Sequence, residues 1–123
     1  MAAPVLHAAE WSSGWRTLAP PEGWTGTVQL LRIGSVVHWT LADLRAPAGT
    51  PNGMVAGWTI PMGFRAPVRG GQLHPVVLSS GVAAGAVQLF DDQLYWWAGA
   101  DRAIRSTFTS LTLDPIPLEL PGT

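Results

Sequence analysis

The sequence has no cysteine and no lysine, and charged residues make up only 12% of its 123 positions. Without cysteine there is no disulfide framework, no thiolate zinc site and no cysteine nucleophile, so stability must come from burial or association. The charge that remains is balanced, seven basic residues against eight acidic ones for a net charge of −1, with no run of either sign. That excludes the basic stripe of a nucleic-acid binder and the basic anchor of an anionic membrane surface. Long apolar runs are also missing. The most apolar stretch, residues 76–90, is broken by Ser79, Ser80, Gly81, Gly85 and Gln88, and no segment reads as a membrane span. The opening residues have neither the basic start nor the continuous apolar centre of a secretion signal.

What is abundant is apolar and conformationally special. Hydrophobic residues account for 47% of the chain, and 14 Gly and 11 Pro fall every few residues, leaving no window with apolar residues at helical spacing over three turns. Strand patterns recur instead. The best is a hairpin, in which residues 27–33 and 36–41 flank a Gly34-Ser35 turn. In its second arm, side chains alternate so that Val37, Trp39 and Leu41 share the face expected to meet the core.

Further strands are expected over residues 54–60, 73–79, 86–90, 93–97 and 104–113, with Asp91-Asp92 as a hairpin turn and residues 45–53 as an exposed loop. The expected fold is all-β, an antiparallel sandwich or barrel of about seven or eight short strands with little helix. Residues 1–13 read as an N-terminal arm, 14–113 as the β domain and 114–123, with three prolines, as an extended tail.

No catalytic constellation emerges, and the chain reads as a non-enzyme without cofactor or metal. His7, His38 and His74 are dispersed, and His38 on a strand is more simply a solvated or hydrogen-bonded side chain than a general base. No Gly-x-Ser-x-Gly elbow and no phosphate-binding glycine loop occurs. A glycan-cleaving enzyme using Asp91, Asp92 or Asp101 is the different-class alternative, but adjacent aspartates in a hairpin turn are ordinary turn chemistry. Tryptophan is the remaining signal: seven of them supply large rigid surfaces suited to cores, protein interfaces or sugar rings. In Tyr95-Trp96-Trp97, successive side chains on a strand must face both sides of the sheet. At least one of the three is therefore a candidate contact, for glycan or for protein.

Three pieces carry a family resemblance: Ser13-Gly14-Trp15-Arg16-Thr17-Leu18, Leu31-Arg32-Ile33-Gly34-Ser35-Val36-Val37, and Ile60-Pro61-Met62-Gly63-Phe64-Arg65-Ala66-Pro67. In this order they resemble the small β-rich distal domains of siphophage tail fibres, minor tail proteins and receptor-binding proteins. Gly14, Trp15, Gly34, Pro61, Gly63, Phe64, Arg65 and Pro67 are the structural positions of the motif.

The resemblance implies a homotrimer in a virion, made in the host cytoplasm without a signal peptide and touching host saccharide or neighbouring virion proteins. A capsid decoration protein or head fibre is the alternative placement. The third piece also makes local sense, since Pro61 ends a strand, Gly63 permits positive φ and Phe64 can anchor the loop to the core. Arg65 is expected to cap carbonyls or pair with a neighbour.

Overall fold

Alternation decides the central hairpin. In the computed structural model, which describes residues 11–51, 55–67, 72–78, 80–90, 92–99 and 102–123, β2 (Thr25–Ile33) buries Val28, Leu30 and Arg32, and β3 (Val36–Arg45) buries Val37, Trp39 and Leu41. The two strands run antiparallel through Gly34-Ser35, pairing Ile33 with Val36 and Leu30 with Trp39. Gly34 takes the positive φ that so tight a turn requires. Of the expected features, residues 1–10, His7, Met54, Ser79, Asp91 and Asp101 lie outside the described residues.

Six more strands complete the fold: β1 (Ser12–Leu18), β4 (Val55–Thr59), β5 (Gln72–Leu78), β6 (Ala83–Phe90), β7 (Gln93–Trp96) and β8 (Ile104–Leu111). All are antiparallel, and the described residues contain no helix. They form one curled, half-barrel sheet in the order β1-β2-β3-β8-β5-β6-β7-β4. β1 was not anticipated from the sequence, because Gly14 sits in a bulge between the Ser12 and Trp15 pairings and interrupts the alternation. Ser12 and Ser13, assigned from the sequence to an arm, are therefore the first residues of a strand.

The order contains a reciprocal exchange. β1-β2-β3 and β5-β6-β7 are three-stranded meanders, but β4, which follows the first in sequence, pairs with β7 of the second. In return β8, which follows the second, pairs with β3 of the first. Each meander thus ends on a strand delivered by the other, and neither can complete its sheet alone.

Where the halves meet, β8 and β5 share only two pairings, Val77 with Arg105 and Leu78 with Ile104. Beyond them, side chains fill the seam. Trp39, Phe108 and His74 stack in sequence, with ring centroids 5.6 and 4.1 Å apart and planes within 16° and 12° of parallel. Trp39 donates its indole N–H to Ser110, and Ser106 donates its hydroxyl to the Pro75 carbonyl across the seam.

At the open ends of the sheet, Trp24 reaches inward from the approach to β2. It packs edge-on against Trp58 of β4 and Trp96 of β7, at 5.4 and 5.0 Å. Such aromatic pairs contribute about 0.5–1.5 kcal/mol each beyond the area they bury. Three tryptophans therefore tie the approach to β2 to β4 and β7, strands that share no backbone ladder with β2.

Candidate functional site

A buried arginine organises the inner side of the first meander. Arg32 follows Val28 and Leu30 in the inward phase of β2, and only 2% of it is exposed. Its guanidinium donates to the carbonyls of Gly34, Gly63, Asp114 and Pro115 at 2.7–3.0 Å. Burial lowers its pKa from the ordinary arginine value, and the negative charge of Asp114 opposes that shift. Four carbonyl acceptors replace the water that the guanidinium gives up, satisfying donors that would otherwise be costly to bury.

The loop of residues 60–67 and the segment after β8 meet at this arginine. Phe64 is fully buried, and its N–H closes a turn on the Pro61 carbonyl. Gly63 has φ +99, and a Cβ there would lie 2.7 Å from Pro117, so no other residue fits without displacement. Asp114 accepts hydrogen bonds from the N–H groups of Gly63 and Arg65 and from the Arg65 side chain, with the ion pair at 3.0 Å. Burial would raise the Asp114 pKa, but these hydrogen bonds and the charge of Arg65 outweigh it and hold the carboxyl below its ordinary range. Pro61 and Pro67 flank the loop, half-buried.

From Asp114 the chain runs on to the first edge of the sheet. Arg16 of β1 donates to the carbonyls of Pro121 and Gly122, and Thr17 and Thr123 exchange backbone hydrogen bonds at 2.8 and 3.1 Å. Residues 114–123, expected as an extended tail, are thus tied at both ends: at Arg32 inside the curl and at Thr17 on the edge of β1. The segment covers part of the edge backbone that would otherwise be free to pair elsewhere.

The outer side of β1, β2, β3 and β8 has a different character. Pairing aligns Ser12, Ile33, Val36 and Leu111 in one row and Trp15, Leu31, His38 and Thr109 in the next. A third row consists of Thr17, Gln29, Thr40 and Thr107. Trp15 is 49% exposed, Ile33 44% and Leu111 55%, and none of the three rows contains an Asp, Glu, Lys or Arg. His38 lies half-buried within this face and not in a cluster of titratable groups. Gly14 places Trp15 opposite Leu31 through its bulge and φ of +65.

The outer face of β4, β7, β6 and β5 carries rings and amides instead. Its rows are Thr59, Gln93 and Phe90; then Tyr95, Gln88 and Leu73; then Trp97, Ala86 and Pro75. Of the three successive aromatics, Trp96 points inward, is fully buried and donates to the Gly99 carbonyl, so it belongs to the core and not to any contact surface. Tyr95 is half-buried on the outer face, and Trp97, 39% exposed, follows the strand end with its N–H bonded to Ala86.

A Cβ on Gly85 would sit 2.6 Å from the Trp97 carbonyl, so glycine lets the Trp97 backbone lie close to β6. Trp97 donates its indole N–H to the Gln88 side chain at 3.2 Å, and Gln93 donates to Thr59 at 3.1 Å.

Among the described residues no three His, Asp or Glu side chains converge as metal ligands. His74 is turned into the seam, where burial lowers its pKa and its Nε2 has no hydrogen-bond partner. The Arg32 clasp went unread in the sequence because its partners lie up to 83 positions away. The available signal was an arginine in phase with Val28 and Leu30. Compared with family models, curated proteins and solved structures, the chain matches none.

Proposed function

We propose that this chain is a non-enzymatic structural protein of a tailed-bacteriophage virion, a β domain of the tail-fibre and receptor-binding type. In this reading it assembles as a homotrimer and contacts the host surface or neighbouring virion proteins. The observation that carries the proposal is the uncharged outer face around Trp15, Ile33, Val36 and Leu111. An apolar patch rimmed by Thr and Gln and free of charge in its rows has the character of a protein contact, and copies that meet there face no like-charge repulsion.

A second observation supports the family reading. Two of the motif pieces meet at one point in the fold, since the Arg32 of one binds the Gly63 carbonyl of the other. The order of pieces along the chain therefore corresponds to one packing unit.

Mass determination in solution tests the assembly. The wild-type chain is expected to be a trimer at micromolar concentration, and Ile33→Asp with Leu111→Asp is expected to give a folded monomer. A wild-type chain that stays monomeric contradicts the proposal. Antibody labelling of particles from the phage that encodes the chain tests the placement: label at the tail tip or on the capsid locates it, and unlabelled particles remove the virion role.

A further inference from the structure

The outer face of β4, β7 and β6 sets exposed aromatic rings and side-chain amides side by side in adjacent rows. Its rings, Phe90, Tyr95 and Trp97, are partly open to solvent, and each of the two central rows carries an amide, Gln93 or Gln88. No charged side chain stands in these rows among the described residues. A pyranose ring has the matching character. Its C–H faces are apolar and stack on aromatic rings, while hydroxyls around its perimeter donate and accept hydrogen bonds, as an amide does.

We propose that this face binds a neutral saccharide, with Tyr95 and Trp97 as stacking rings and Gln88 and Gln93 as hydrogen-bonding groups. Tyr95 and Trp97 are two residues apart, so their Cα atoms are separated by about 6.6 Å, a spacing that two linked sugar units can bridge. The hydrogen bond from Trp97 to Gln88 and the close backbone approach at Gly85 hold the indole in place before any ligand arrives. That lowers the ordering cost of binding. The described rows hold no cation that would favour an anionic polymer.

The inference deepens the proposed host-surface role by naming the chemistry of the contact, and it rests on that reading for its biological setting only. Titration of the isotope-labelled full chain with maltohexaose, cellohexaose and chitohexaose, each to millimolar concentration, tests it by nuclear magnetic resonance, with polygalacturonate as the charged control. At least one neutral oligomer is expected to shift the Trp97 indole and the Gln88 and Gln93 side-chain amides. Trp97→Ala and Gln88→Ala are expected to weaken binding about tenfold, a loss of about 1.4 kcal/mol, while Trp15→Ala leaves it unchanged.

Three results overturn the inference: no shift on this face with any neutral oligomer, a preference for polygalacturonate, or Trp97 shifts that follow dilution of the protein alone. The mass of the same samples separates the two readings. A monomer that binds sugar removes the trimer and keeps the saccharide site; a trimer that ignores all three oligomers does the reverse.

Discussion

The two halves of this sheet have matching topology and differently filled interiors. The β1-β2-β3-β8 half holds a charged clasp inside, where Arg32 and Asp114 tie the 60–67 loop to the final segment, and turns outward three uncharged rows whose exposed apolar side chains are Trp15, Ile33 and Leu111. The β5-β6-β7-β4 half fills its interior with Val87, Leu89, Leu94 and Trp96 and presents rings and amides to solvent. Both halves obey alternation, and the difference lies in the inward phase, which carries the charged Arg32 in β2 and apolar side chains in β6 and β7. Polar atoms placed inside a fold must be satisfied there and act as structure. Those left outside remain available to a ligand.

Substitution of Arg32 breaks this comparison most severely. Arg32→Ala removes the partner of four carbonyls and leaves Asp114 with one cation fewer, and about 3–5 kcal/mol of stability is expected to be lost. Urea unfolding followed by tryptophan fluorescence measures it. The matching change across the sheet, Trp24→Ala, opens the inner contact with Trp58 and Trp96 and is expected to cost about 2–4 kcal/mol. A larger loss at Trp24 than at Arg32 would reverse the ranking of polar clasp over aromatic closure.

Two pH dependences sharpen the distinction. The folded-state pKa of Asp114 is depressed, so its contribution is fully present above the unfolded carboxyl value of about 3.9 and is lost as pH falls through the folded value. Asp114→Asn is expected to cost about 1–3 kcal/mol at neutral pH and to flatten the acid limb of the stability curve. His74 also has a lowered folded-state pKa, but as a base it is favoured neutral in its seam. The unfolded chain takes up its proton first, so the stability of the neutral stack is intact above about pH 6.5 and declines as pH falls below that value. His74→Phe, which retains a ring against Phe108, is expected to remove the step near pH 6 and to change stability at pH 8 by less than about 1.5 kcal/mol. Chemical denaturation at a series of pH values resolves the two steps.

Much of this architecture was legible because local alternation and turn chemistry agree. The β2-β3 hairpin, with Val37, Trp39 and Leu41 inward, follows from period two and Gly34-Ser35 alone. The turn after Pro61, with Gly63 at positive φ and Phe64 in the core, was equally readable. β1 was hidden by its bulge. The roles of Trp96 and Trp97 were merged because adjacent aromatics do not announce their phase, although Gln93 outward and Leu94 inward set it. The clasp was beyond local reading, since Arg32 and Asp114 are 82 residues apart and only the fold brings them together.

Solvent access at two tryptophans tests most directly the claim that the outer faces have different partners. With fluorotryptophan in place of tryptophan, a soluble paramagnetic probe reports which indoles water can reach by fluorine magnetic resonance. The account predicts that Trp15 is shielded in the assembled protein, whereas Trp97 stays open until a neutral oligosaccharide is added. Equal exposure of both rings in the assembled protein, unchanged by any such sugar, would contradict it.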